Sequence, residues 1–127
     1  MKFRYTILYV ENVTESIAFF EAAFGFQKMM IHESGDYGEL ATGETKLAFS
    51  ALSLMTSLGK SPAKADPTAP VFELAFETDD VAKALDKALK AGATLAQKTE
   101  TMPWGQTIAY VCDPNGFLIE ICTPVAA

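Results

Sequence analysis

The chain has 127 residues, of which 50% are hydrophobic and 20% are charged, enough for one domain with a buried core. Sixteen acidic residues against ten basic residues give a formal net charge of -6, and the basic residues are scattered. This pattern argues against a nucleic-acid partner, which needs clustered Lys and Arg. The sequence has neither a secretion signal nor an apolar run long enough to cross a membrane, so we expect a cytoplasmic protein without a membrane partner.

The first half of the chain alternates between strand and helix patterns. Residues 3–10 are rich in β-branched and aromatic residues, which predicts a strand. Apolar residues over Ile17–Phe24 then repeat at helical spacing, with Asn12 or Thr14 as the N-cap and Gly25 as the stop. Three further strands are predicted at Gln27–Glu33, Tyr37–Ala41 and Lys46–Ser50.

The same order of elements returns after residues 57–69, which combine Pro, Gly and charged residues with few large apolar ones and predict a mobile linker. A strand is predicted at Val71–Glu77, followed by a helix from Asp79 or Asp80 to Ala91 with Gly92 as its stop. Three strands follow at Thr94–Thr101, Gln106–Cys112 and Leu118–Thr123.

The two halves are one unit repeated. Tyr5 and Glu73 are 68 positions apart, as are Val13 and Val81, so the first strand, the turn and the helix start superimpose without a gap. The repeat predicts a single α+β domain over residues 1–127, with a βαβββ module at 1–56, a linker at 57–69 and a second module at 70–127. We expect the two sheets to form a partly open, barrel-like cleft, which is the natural place for a ligand.

Two cysteines, Cys112 and Cys122, lie in apolar strand-like runs near the C-terminus. Isolated cysteines in such runs favour buried free thiols over a disulfide, and a reducing cytoplasm favours the same state.

Two motifs frame the predicted hairpin near the C-terminus: Pro103-Trp104-Gly105-Gln106, and Asp113-Pro114-Asn115-Gly116 with Glu120 four residues later. The second motif suits a turn, because Asp accepts hydrogen bonds, Pro fixes φ and Gly tolerates positive φ. Together with the doubled strand-helix-three-strand order, these motifs resemble the vicinal oxygen chelate superfamily over nearly the whole chain. That superfamily includes glyoxalase I, extradiol dioxygenases, fosfomycin-resistance transferases and bleomycin-resistance proteins.

The resemblance also implies where a metal would bind. Metal-dependent members use a His or Glu from the first and the last strand of each module. In this sequence the matching positions hold Tyr5, Glu73 and Glu120, while residues 46–50 contain no His, Asp or Glu, and the only histidine, His32, lies elsewhere. We therefore expect no metal and no other cofactor, with a weak divalent site at Glu73 and Glu120 as the alternative.

Glu73 and Glu120 have apolar neighbours on both sides, so strand alternation directs both carboxylates to the concave face. There they bind a cationic ligand or serve acid–base chemistry, unless they are solvated or paired with a lysine such as Lys46. Trp104 lies in a loop, where an exposed aromatic ring packs on a ligand or a partner chain. The candidate ligand-binding residues are Tyr5, Glu73, Phe49, Trp104 and Tyr110, and the candidate catalytic residue is Glu120.

Three functions remain open from the sequence. The preferred one is a metal-independent small-molecule binder, similar to bleomycin-resistance proteins, which sequester cationic aromatic drugs in grooves shared by a dimer. The alternatives are a divergent lyase or isomerase like glyoxalase I, with Glu120 as base or ligand, and a structural or interaction subunit. The resemblance favours a homodimer. The apolar run Ala51–Met55 covers either a partner chain or the protein's own barrel.

Overall fold

The computed structural model describes residues 1–125, which form two compact units, Met1–Lys64 and Ala65 onward. The first unit contains β1 (Tyr5–Val10), α1 (Val13–Phe24), β2 (Gln27–Ile31), β3 (Tyr37–Ala41), β4 (Lys46–Ala51) and α2 (Leu52–Ser57). The second contains β5 (Glu73–Glu77), α3 (Val81–Lys90), β6 (Thr94–Thr101), β7 (Thr107–Cys112) and β8 (Leu118–Cys122). The doubled βαβββ order of the predicted α+β fold class is confirmed. Within residues 1–125, no helix has the length and apolarity needed to cross a membrane.

Each unit contains one open four-stranded sheet with the first and last strands as neighbours. The strand orders are β1-β4-β3-β2 and β5-β8-β7-β6. The first and last strands pair in parallel, with Tyr5 beside Lys46 in one unit and Glu73 beside Leu118 in the other. This pairing brings residues that are about 40 positions apart in sequence into contact on one surface, because a parallel pair needs a long crossover connection.

Each end of helix α1 is defined by a capping residue. The side chain of Asn12 accepts a hydrogen bond from the backbone N–H of Glu15 at 2.9 Å, so Asn12 rather than Thr14 is the N-cap. Gly25 ends the helix with a φ of 76°, a left-handed conformation that suits glycine. The apolar face of α1 packs on the sheet, and the buried Phe20 ring lies 5.2 Å from that of Phe49 in β4.

Gly38 in β3 allows α1 to approach the sheet closely. A Cβ at this position would lie 2.5 Å from Cδ1 of Ile17, 3.1 Å from the backbone oxygen of Met30 in the neighbouring strand and 3.2 Å from Cγ1 of Val13. Overpacking of this kind costs roughly 1–3 kcal/mol in a well-packed core. The glycine therefore sets the distance between the helix and the strand.

Helix α3 repeats the design of α1 with less burial. The side chain of Asp80 accepts a hydrogen bond from the backbone N–H of Lys83 at 3.1 Å, which makes Asp80 the N-cap. Asp80 and Asn12 are 68 positions apart, the same offset as in the strands. Only Val81 and Ala88 are fully buried in α3, so the helix covers its sheet more thinly than α1 does.

The hairpin between β7 and β8 is held by a buried carboxylate. Asp113, only 4% exposed, accepts hydrogen bonds from the backbone N–H groups of Asn115 at 3.1 Å and Phe117 at 2.8 Å. Gly116 has a φ of 97°, and a Cβ there would lie 3.0 Å from two atoms of residues 65–67. The end of the predicted linker therefore packs against this hairpin.

The structure corrects several boundaries and adds one helix. Strand β1 begins at Tyr5 rather than at residue 3, and β2 ends at Ile31 because a turn starts at His32, whose carbonyl accepts the N–H of Gly35. The apolar residues after β4 form the short helix α2, in which Met55 is buried. This six-residue helix is too short to produce a recognisable helical period.

Candidate functional site

Helix α1 in the first unit and helix α3 in the second pack against one face of their sheet, and most of the candidate residues lie on the opposite face. Phe49 and Gly38 are paired and both contact α1, so their face is the covered one. The residues that alternate with them form the opposite face, and we use the name helix-free face for the side opposite α1 or α3. In the first unit this face includes Tyr5, Ile7, Tyr37, Glu39, Lys46 and Ala48. In the second unit it includes Glu73, Ala75, Tyr110, Leu118, Glu120 and Cys122.

The helix-free face of the second unit brings together Glu73, Tyr110 and Glu120, which we call the Tyr110 cluster. The Tyr110 hydroxyl lies 2.6 Å from Oε2 of Glu120 and 3.1 Å from Oε2 of Glu73. Strand register explains the contact, because Tyr110 pairs directly with Glu120 across β7 and β8. A hydroxyl carries a single proton, so the two carboxylates compete for one donor.

Tyr110 is held in its protonated, donating form. The hydrogen bond to Glu120 raises the pKa of Tyr110 well above its ordinary value of 10.0, and burial and the charges of Glu120 and Glu73 raise it further. Glu73 is exposed, whereas Tyr110 and Glu120 are half-buried. The cluster is therefore an anionic surface with one fixed hydroxyl, open to ligands that supply further hydrogen-bond donors.

The acidic character continues to the edge of this sheet. Gln97 in β6 pairs with Tyr110, and its side-chain amide donates to Oε1 of Glu100 at 3.2 Å. In the first unit Lys46, the lysine that the sequence analysis named as an example of a partner for the two glutamates, forms an ion pair with Glu39 at 3.7 Å.

The two cysteines are free and buried, as predicted. Burial raises the pKa of the Cys122 thiol to about 11, and the neighbouring carboxylate of Glu120 adds to the shift. Burial and then the charge of Asp113 also raise the pKa of Cys112. Because thiolates rather than thiols are the reactive species, neither cysteine is activated for chemistry.

The helix-free face of the first unit carries a second polar cluster, which we call the Lys46 cluster and which consists of Tyr5, Tyr37, Glu39 and Lys46. The Tyr37 hydroxyl donates to Oε2 of Glu39 at 2.8 Å, and Nζ of Lys46 lies 6.0 Å from the centre of the Tyr5 ring. Burial and then the bond to Glu39 raise the pKa of Tyr37 well above 10.0. Sequence reasoning missed the Tyr37–Glu39 pair, although two residues at i and i+2 in a strand share a face.

Two further candidate residues and the single histidine lie in three different environments. Phe49 is fully buried against α1, so it is a core residue and is no longer a ligand-binding candidate. Trp104 is 58% exposed in the loop before β7, and its indole N–H donates to Oε1 of Gln106 at 2.9 Å. His32 is exposed in the turn after β2, where its ring lies 2.8 Å from the Ser34 hydroxyl.

The strand register shows which residues occupy the metal-ligand positions of the vicinal oxygen chelate superfamily in each unit. Ala75 pairs with Glu120, and the equivalent Ile7 pairs with Ala48, so Ala48 occupies the place of Glu120 in the first unit. An alanine side chain has no donor atom, and Tyr5 replaces the other carboxylate. In the part of the chain described, no group of three or more His, Cys, Asp or Glu residues is placed to hold a metal ion. The donor set does not fit the four-ligand site.

Comparison with known families agrees with this geometry. Residues 3–126 match the model of a family described as glyoxalase-like domain. The chain belongs to the glyoxalase-like domain family. The match covers nearly the whole length of the chain and confirms the resemblance to the vicinal oxygen chelate superfamily. No curated protein sequence matches this glyoxalase-like chain.

Solved structures share the glyoxalase-like fold at low sequence identity. A glyoxalase-related enzyme from Fulvimarina pelagi has a TM-score of 0.84 and 20% identity, over 98% of this chain and 88% of its own. A glyoxalase/bleomycin resistance protein/dioxygenase family enzyme from Burkholderia phytofirmans PsJN has a TM-score of 0.82 and 22% identity, over 99% and 100%. TioX from Micromonospora sp. ML1 has a TM-score of 0.74 and 18% identity, over 97% and 98%. At these identities the similarity establishes the fold alone.

Proposed function

We propose that this glyoxalase-like protein binds a small organic cation at the Tyr110 cluster and sequesters it without a metal. The observation that carries the proposal is the single Tyr110 hydroxyl set between two carboxylates, at 2.6 and 3.1 Å. One donor leaves several carboxylate lone pairs available. A ligand with a positive charge or with N–H donors supplies what the cluster lacks.

The partial burial of one carboxylate supports a specific cation site rather than a general acidic surface. The attraction between a ligand cation and a carboxylate gains strength where the carboxylate is partly removed from water. Glu120 is half-buried and is fixed by Tyr110, so it is preorganised for a ligand. Glu73 is exposed and is accessible to a ligand that approaches from solvent. Preorganisation lowers the entropy that binding costs.

Calorimetric titration with the flat cation 1-methylquinolinium, and with uncharged quinoline for comparison, tests the proposal. The double variant E73Q/E120Q should weaken cation binding by at least about tenfold, a free-energy change of about 1.4 kcal/mol. The matched control E15Q/E44Q also removes two negative charges but from exposed positions in α1 and in the turn before β4. It should change the affinity by less than about twofold near physiological salt.

Equal affinity for quinoline and for 1-methylquinolinium would overturn the proposal, as would equal losses in the two double variants. Trp104, the single tryptophan, provides a second readout. We propose that it contacts the ligand, so that binding quenches its fluorescence. Calorimetric binding without quenching would remove Trp104 from the site but leave the Tyr110 cluster in place.

A second candidate function is proton transfer, with Glu120 as the catalytic base of a divergent lyase or isomerase. The short 2.6 Å bond from Tyr110 favours it, because the hydroxyl fixes the carboxylate that would take a proton from a carbon next to a carbonyl. Activity toward the hemithioacetal of methylglyoxal and glutathione, measured with and without added nickel, zinc or manganese, tests this candidate. Activity lost in E120Q would support it, and inactivity under every condition would contradict it for this substrate.

A further inference from the structure

We propose that the Lys46 cluster of the first unit is a binding site of its own, for small aryl carboxylates. The site would hold the carboxylate at Nζ of Lys46 and the aromatic ring along Tyr5 and Ile7. It goes beyond the proposed cation site, since it uses different residues, lies in the other unit and takes a ligand of opposite charge.

Lys46 has donors available for an anion. Its Nζ lies 3.7 Å from Oε1 of Glu39, which is an ion pair but is longer than a hydrogen bond. The other oxygen of Glu39 already accepts the Tyr37 hydroxyl at 2.8 Å, so the charge of Glu39 is stabilised by a separate donor. An ammonium group has three N–H donors, and a ligand carboxylate can take those that Glu39 leaves.

The lysine is also held in place before any ligand arrives. Its side chain is only 25% exposed, so the alkyl stem is packed. Within residues 1–125, no side-chain nitrogen or oxygen is buried without a hydrogen-bond partner. The ammonium group of Lys46 is therefore not buried without a partner, and it agrees with this pattern if it reaches solvent. A packed stem with an accessible charge reduces the side-chain entropy that binding costs.

The aromatic part of the ligand has a surface to lie on. Tyr5 pairs with Lys46 in the sheet and is 45% exposed, and Ile7 on the same face is 44% exposed. Large exposed apolar side chains beside a fixed charge suit a ligand that combines a ring with an ionic group, because ring contacts add to the ionic contact. Glu39 keeps the net charge of the cluster near zero, which favours a monoanion over a phosphate dianion.

Titration of the full-length protein with benzoate, followed by the shifts of backbone amide signals in NMR spectra, tests the site. Saturable shifts should centre on residues 5–7 and 46–48. K46M keeps the length of the stem but removes the charge, and it should weaken benzoate binding by at least about tenfold, or about 1.4 kcal/mol. The matched control K60M removes one positive charge from an exposed lysine outside the sheets and should bind benzoate like the wild type.

Further ligands and variants keep the proposal falsifiable if K46M folds poorly. K46R keeps the charge and should retain binding within a few-fold, and benzyl alcohol, which lacks the charge, should bind far more weakly than benzoate. Shifts centred elsewhere, equal binding of benzyl alcohol, or benzoate binding unchanged in a folded K46M protein would each overturn the site. The cation site is tested separately, by 1-methylquinolinium binding to variants of Glu73 and Glu120. Either the cation site or the carboxylate site can therefore fail its test without the other.

Discussion

Tyrosine hydroxyls stabilise glutamates on both helix-free faces, but the two contacts arise differently. Tyr37 and Glu39 are two residues apart on one strand, so their shared face follows from alternation alone. Tyr110 and Glu120 meet across a hairpin, and their contact depends on the register that the turn at Asp113 sets. Glu120 was predicted as a site residue from the motif, whereas the bond between it and Tyr110 could not be predicted, because a shift of one residue would separate the two side chains.

Phe49 illustrates a residue whose face could not be predicted from the sequence. All residues of β4 after Lys46 are buried, so the strand lacks the alternation of polar and apolar residues that identifies an exposed face. Phe49 was therefore predicted to be a ligand-binding residue, although its ring packs on Phe20. By contrast, burial alternates along the strand of Glu73, and the register places Glu73 on the same face as Glu120.

Asp113 provides a prediction about pH at the scale of one residue. Burial raises the pKa of Asp113, although hydrogen bonds from Phe117 and Asn115 act in the opposite direction. When the pKa is higher in the folded state than in the unfolded state, where it is about 3.9, the folded state binds more protons. The free energy of unfolding should therefore fall as pH rises from about 3.9 through the raised value.

The comparison with D113N isolates this contribution from the other carboxylates. Wild type and D113N should have similar stability at the acid end of this range, and the wild type should lose stability relative to D113N as pH rises. Urea unfolding at a series of pH values measures the difference between the two. A difference that does not vary with pH would contradict the raised pKa.

Elements were predicted best where a cap or a turn marks the boundary. The sequence offered two possible N-cap residues for each of the helices α1 and α3. The hydrogen bonds of Asn12 and Asp80 identify these two residues as the N-caps. The strands between Tyr37 and Ala41 and between Thr94 and Thr101 have the predicted bounds. Helix α2 was missed because it has no side-chain cap and directly follows an apolar strand.

Gly38 provides a prediction at the scale of packed elements. G38A should lower the free energy of unfolding by roughly 1–3 kcal/mol, because the new Cβ would overlap Cδ1 of Ile17. I17V removes that atom and costs about 0.5–1.5 kcal/mol in a wild-type background. The double variant G38A/I17V should be less destabilised than the sum of the two single variants, as measured by chemical unfolding. Additive losses would mean that the cost of G38A does not arise from contact with Cδ1 of Ile17.

At the scale of the whole molecule, charge acts over distances that depend on salt. The net charge of -6 attracts cations generally, whereas the Tyr110 cluster attracts them locally. Neither the ligand nor its orientation could be predicted from the sequence, because these depend on which side chains meet across strands. Family membership defines the fold, and the ligand has to be inferred from contacts.

The control variant E15Q/E44Q separates the two effects, because it changes the net charge from -6 to -4 without altering the cluster. At about 0.01 M salt, where charges act over about 30 Å, it should bind 1-methylquinolinium several-fold more weakly than the wild type. Near 0.15 M salt, where the range is about 8 Å, the difference should nearly vanish. Calorimetry at the two salt concentrations measures it, and a difference that persists at high salt would place one of these glutamates near the ligand.

The 68-residue repeat makes one half of the chain a reference for the other. The capping positions, Asn12 and Asp80, have the same role in both halves. The surface positions differ: Tyr5 stands opposite Glu73 in this internal alignment, and Ala48 opposite Glu120. A duplicated scaffold can keep its framework twice while each copy acquires its own chemistry, so transplanting residues between equivalent positions is a direct way to exchange the binding preferences of the two halves.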